Sequence, residues 1–176
     1  MRFTATQIPG TFTIEAEDQA DERGFFARVF CREEFARHGL NQNVAQCSIS
    51  FSKLRGTLRG MHYQATPHAE AKLVRCTQGS IFDVALDLRP DSPAYLKWNG
   101  IEISATNRRM HYIPEGCAHG MLTLRDDTEV HYQISDSYHP ECMLGVRWDD
   151  PAFAIAWPET VRVCSARDRS FPAFRS

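Results

Sequence analysis

The sequence predicts an all-β protein, a single sandwich or barrel with a few short helices. Three observations lead there. Short runs of branched and aromatic residues recur along the chain, and several alternate apolar with polar positions. Turn signals such as Pro9-Gly10, Gln78-Gly79 and Pro114-Glu115-Gly116 separate them, at the spacing of about 8–12 residues typical of sandwiches rather than of βαβ units. No internal repeat, low-complexity run or linker divides the 176 residues, so residues 1–176 form one domain, long enough to bury a core without staples.

Taken in order, residues 3–17 alternate loosely through Phe12, Ile14 and Ala16 and read as two short strands broken at Pro9-Gly10. A polar turn at residues 21–24 precedes a predicted strand over 25–30. Residues 33–38 form a brief helix stopped by Gly39, a residue that takes the left-handed conformation helix ends require. Residues 44–51 alternate again, with Val44, Gln46, Ser48 and Ser50 on one face. That face is too polar for a core and fits a strand lining a cavity. Strands follow over 56–64, 71–76, 80–88, 98–104, 109–113, 121–124 and 128–134. The last forty residues, with Trp148, Trp157 and several prolines, are expected to wrap the barrel.

Composition narrows the function. Twenty basic against 22 acidic residues give a formal charge of −2, which is not the electrostatic footprint of a nucleic-acid binder. The first residues lack a signal-peptide core and no apolar run reaches membrane-spanning length, so a cytoplasmic protein without membrane partners is expected. Six cysteines stand singly, with no C-x-x-C pair, and read as reduced structural thiols. Cys117, close to His119, is the one worth testing for reactivity.

Chemistry gathers in residues 56–64, where Arg59, His62 and Gln64 interrupt an otherwise apolar strand. Left without partners beside apolar residues, a neutral polar group costs on the order of 2–7 kcal/mol, so these side chains either face water or converge on a polar pocket. Lys72, His119, Tyr132, Tyr138 and Asp168 are the other candidates for such a pocket. Each has an ordinary explanation on its own: a surface histidine, an edge-strand lysine, packing tyrosines, a solvated aspartate. A metal would want close ligands such as H-x-H, but His62 is followed by Tyr63 and Gln64, and His68, His111, His131 and His139 show no ligand spacing. No G-x-S-x-G, P-loop or dinucleotide fingerprint is present. Proton transfer beside a carbonyl, with a base, a cation for the enolate oxygen and an acid, suits the residues that remain.

The ordered motifs are Asp21-x-Arg23-Gly24-Phe25-Phe26, Gly56-x-Leu58-Arg59-Gly60-Met61-His62-Tyr63-Gln64, Lys72-Leu73-Val74-Arg75 and Asp83-x-x-x-Asp87-Leu88-Arg89. They continue through Ile113-Pro114-x-Gly116-x-Ala118-His119-Gly120, Trp148-x-Asp150-Pro151 and Trp157-Pro158. Over almost the whole chain this pattern resembles the dTDP-4-dehydrorhamnose 3,5-epimerases, sugar-nucleotide epimerases of cupin fold. The resemblance implies a cupin-type jelly roll that inverts C3 and C5 of a nucleotide-linked 4-keto-6-deoxy sugar without metal or cofactor. It implies His62 as base with Asp168 orienting it, Lys72 on the C4 ketone oxygen, and Tyr132 as the acid on the opposite face. His119 and Tyr138 would line the sugar site, Arg59 and Arg23 would meet the diphosphate, Gln46 would lie near the nucleotide, and Phe26 would stack on its base. It also implies a homodimer in which the first strands cross to the partner, so that Arg23 and Phe26 serve the neighbouring site. Two departures, Ser48 for asparagine and Arg28 for glutamate, keep other readings open: a C3- or C5-only epimerase, a keto-sugar isomerase, or a cupin that binds without turnover.

Overall fold

A computed structural model describes residues 1–174. The strands predicted from alternation pair into two facing six-stranded sheets. In chain order the elements are β1 (Arg2–Ala5), β2 (Phe12–Glu15), β3 (Gln19–Asp21), β4 (Gly24–Phe26), α1 (Arg32–Arg37), β5 (Gln46–Ser52) and β6 (Thr57–Gln64). There follow β7 (Lys72–Gln78), β8 (Ser80–Asp87), β9 (Trp98–Ser104), β10 (Arg109–Ile113), β11 (Cys117–Thr123), β12 (Thr128–Ile134), β13 (Met143–Gly145), β14 (Val163–Cys164) and α2 (Ala166–Ser170). One sheet runs β1-β2-β10-β7-β12-β5; the other runs β13-β6-β11-β8-β9, with β14 also on β6. This is the predicted all-β jelly roll of cupin type. Among the described residues no helix is long and apolar enough to cross a membrane.

Three apolar clusters hold the layers. Val74, Ile81, Ala85, Ile103, Ile113, Met121 and Val130 fill the space between the sheets, each large side chain contributing about 1.5–3 kcal/mol by leaving water. Phe35, the buried residue of α1, seats that helix on the outer face of the first sheet against Leu73, Met110 and Tyr112. The C-terminal segment covers the outer face of the second sheet, where Trp148, Phe153 and Trp157 pack around Met61, Val84 and Leu86. The expectation that the last forty residues wrap the barrel is met there as far as residue 174, residues 175 and 176 lying outside the described residues.

Three expectations change. The strand over 25–30 shrinks to β4, half of an exposed hairpin with β3, because Phe25 and Phe26 face outward at 47% and 74% exposure and no sheet edge receives residues 27–30. The strand expected at 121–124 begins at Cys117, so His119 belongs to a sheet rather than a loop. Cys117 itself is not reactive: burial pushes its thiol up to about 12, so it carries no thiolate at neutral pH.

Candidate active site

A cavity of about 620 Å³ opens between the sheets. One wall comes from the first sheet, with Gln46, Ser48 and Ser50 on β5, Lys72 on β7 and Tyr132 on β12. The other comes from the second sheet, with Arg59 and His62 on β6 and His119 on β11. Tyr138 and Asp168 close it from the segments that follow. The polar face of β5 therefore lines a cavity as its alternation predicts. Eight of the ten expected site residues meet here. Arg23 and Phe26 do not: Arg23 pairs with Asp21 in the β3–β4 hairpin, and Phe26 stands exposed beside it.

The approach of β6 to β11 depends on Gly60. Its φ is 134°, and a Cβ there would fall on Gly120 Cα and lie 2.9 Å from the His119 carbonyl oxygen. Only glycine fits, and the close approach sets His62 opposite His119 in the β6–β11 register.

His62 Nε2 lies 2.7 Å from Asp168 Oδ1. Asp168, 4% exposed, also accepts from the Gly60 N–H at 3.3 Å, and Ser165 caps the short helix by accepting from the Asp168 N–H at 3.0 Å. The carboxylate can only accept, so the neutral imidazole carries its proton on Nε2 and leaves Nδ1 as the basic nitrogen. Burial lowers the His62 pKa from its ordinary value, and Asp168 pulls it partly back. His62 is therefore unprotonated at neutral pH and free to accept a proton at Nδ1.

Across the cavity, the Tyr132 hydroxyl lies 3.1 Å from Ser50 Oγ. Burial, only partly offset by Ser50, pushes this phenol up to about 12, so it holds its proton throughout the working range. Lys72, 10% exposed at its side chain, pairs with Glu70 at 2.9 Å and donates to the His62 carbonyl oxygen at 3.4 Å. Arg59 is aimed by Ser52 Oγ (3.2 Å) and the Phe51 carbonyl (3.0 Å), and Gln46 accepts from the Tyr138 N–H at 2.9 Å. His119 Nε2 lies 2.8 Å from Asp83, whose other oxygen is 2.8 Å from His111 Nδ1. Burial alone would raise Asp83, but the two histidines outweigh it and hold the carboxyl at about 2.

Against this geometry, the family model described as dTDP-4-dehydrorhamnose 3,5-epimerase matches residues 5–176. The chain belongs to that family. The dTDP-4-dehydrorhamnose 3,5-epimerase of Methanothermobacter thermautotrophicus is 44% identical to it over 99% of this chain and 95% of that one. The crystal structure of the Elizabethkingia anophelis NUHP1 epimerase superposes with a TM-score of 0.95 at 37% identity, covering 99% of this chain and 96% of that one. The Legionella pneumophila epimerase, solved in complex with dTDP-4-keto-L-rhamnose, does so with a TM-score of 0.88 at 34% identity, covering 99% of both chains.

This family member carries two acidic groups in or behind the site that sequence reasoning passed over. Asp83 is a fully buried carboxylate in the middle of strand β8, a placement that itself demands partners. Glu70 stands two residues before Lys72, the spacing that puts both on one face of an extended chain. Replacing Glu70 with alanine removes the ion pair to Lys72 and should lower unfolding stability by about 1–3 kcal/mol, the cost of depriving a buried polar group of its partner. A full buried-pair penalty is not expected, because the Lys72 ammonium can turn toward water in the cavity. Chemical denaturation measures this directly.

Proposed function

We propose that the chain inverts C3 and C5 of dTDP-4-dehydro-6-deoxy-D-glucose, giving dTDP-4-dehydro-L-rhamnose. The observation that carries the reading is the placement of a neutral His62 and a protonated Tyr132 on opposing walls of one cavity. Both stereocentres flank the C4 ketone, so each C–H is acidified by the same carbonyl and one set of groups can treat both. His62 Nδ1 takes the proton while Asp168 steadies the imidazolium that forms. Lys72 donates to the enolate oxygen, placing a positive charge where negative charge develops. Tyr132 returns a proton to the same carbon from the far side, which inverts it. One proton is taken and one given, with no change of oxidation state.

Arg59 is positioned for the diphosphate, and His119, Tyr138 and Gln46 for the sugar and nucleotide. Arg23 and Phe26 act on the neighbouring site of a homodimer. The dimer reading draws support from large apolar side chains left exposed: Phe26 at 74%, and Ile49 at 64% with Phe51 at 45% on the edge strand β5. Of the departures from the family pattern, Ser48 lines the cavity, while Arg28 pairs with Glu34 on the surface. Ser48 thus bears on the site of its own chain, while Arg28, two residues past Phe26, would bear on the neighbouring one.

Turnover of dTDP-4-dehydro-6-deoxy-D-glucose, followed by NMR, tests the assignment; tight binding without conversion would leave a sugar-nucleotide-binding cupin in its place. The acid limb of kcat/KM gives a second test. Because the His62 pKa is lowered, the base stays unprotonated below the ordinary imidazole value of about 6.5, and activity should fall only at more acid pH. A limb lying above that value would contradict His62 as the base.

A further inference from the structure

We infer that His68, Asp136 and His139 form a site for a divalent transition-metal ion at the rim of the cavity. Each offers one ligand atom, and these atoms all lie within 4.8 Å of one another. None of the three lines the cavity, so the inference is independent of the catalytic reading. The residues come from two loops far apart in sequence, which is why ligand spacing could not reveal them.

Their convergence is built by Gln64, a buried residue at the end of β6. Its amide nitrogen donates to the carbonyl oxygens of His68 (2.9 Å) and Ser137 (3.1 Å), and its amide oxygen accepts from the His139 N–H at 2.6 Å. One side chain thus clamps the backbones that carry both imidazoles. The Ala65 N–H donates to the Cys142 carbonyl at 2.9 Å and ties the same two loops again. On this frame the His68 and His139 rings stack face to face, centroids 3.4 Å apart and 9° from parallel. His68 Nδ1 is 3.2 Å from Asp136 Oδ2, and His139 Nδ1 is 3.1 Å from Glu141 Oε1.

Two imidazoles and a carboxylate suit zinc, nickel or cobalt, whereas calcium and magnesium demand oxygen ligands. Bonds of about 2.0–2.2 Å require the three donors to draw together by roughly 1 Å and the rings to tilt out of parallel. Side chains 29–37% exposed can make that rotation without moving the clamped backbone. Glu141 or water would complete the shell. Tyr138, which lines the cavity, sits between two of the ligands in sequence, so an ion here would also fix the loop that carries it.

The test is a titration of the untagged protein with Co2+, read by visible absorption and equilibrium dialysis, with melting temperature followed in parallel. One ion per chain is expected, with the d–d bands of nitrogen and oxygen ligands, no thiolate charge-transfer band, and a rise in melting temperature. His139→Ala and Asp136→Asn, both at partly exposed positions, should fold normally. Each should weaken binding by at least about tenfold, since even outer-shell partners of a metal cost about 10–100-fold. No bound ion, a thiolate band, or binding unchanged in both variants would overturn the site.

Discussion

His62→Ala is expected to stop proton exchange at both C3 and C5 while leaving the protein able to bind dTDP. The loss should be about 10²–10⁴-fold, the usual contribution of a positioned base, and it should fall on kcat, because the imidazole acts on the reacting carbon rather than on the nucleotide. His62 also holds Asp168 at 2.7 Å. Alanine therefore leaves that buried carboxylate with the backbone N–H of Gly60 as its remaining partner, and some stability is lost as well. Binding of dTDP, measured calorimetrically, separates the two effects: a folded variant binds and does not exchange. Exchange within a few-fold of the native rate would remove His62 from its role.

Tyr132→Phe should divide the reaction instead of abolishing it. The base remains, so the enolate still forms and the abstracted position still exchanges with solvent. What is lost is the proton delivered from the opposite wall, so inversion should drop by about 10²–10⁴-fold, as for removal of a general acid, with exchange reduced much less. The fold should tolerate the change, since the hydroxyl has Ser50 as its partner at 3.1 Å and losing one such bond costs about 1 kcal/mol. Comparing deuterium uptake with product formation in the same sample measures the split. Equal loss of exchange and inversion would make Tyr132 a binding residue.

Much of this arrangement was legible in the residues. Alternation in residues 44–51 marks Gln46, Ser48 and Ser50 as cavity-facing, although Ile49 from the other face also reaches the lining, and the density of polar groups between Gly56 and Gln64 marks a pocket wall. Roles were a different matter. Residue types called for a base, an acid and a cation, but the assignment of Asp168 to His62 came from family resemblance, because the two are joined only by the fold that brings β14 and α2 against β6. Glu70 and Asp83 were hidden because their partners lie on other strands or were read for other purposes. The short β3–β4 hairpin was not legible, since the aromatic run over 25–30 has the pattern of a longer strand although Phe26 is 74% exposed. The His68–Asp136–His139 cluster could not be found from spacing, since Gln64 assembles it across two loops.

The most direct test of the central claim is to incubate the native protein in D2O with dTDP-4-dehydro-6-deoxy-D-glucose and follow C3 and C5 by NMR. Deuterium at both carbons, with both inverted, is the predicted result. Incorporation at one carbon only would make the protein a single-centre epimerase, and incorporation at neither, with the nucleotide sugar bound, would contradict proton abstraction by His62 altogether.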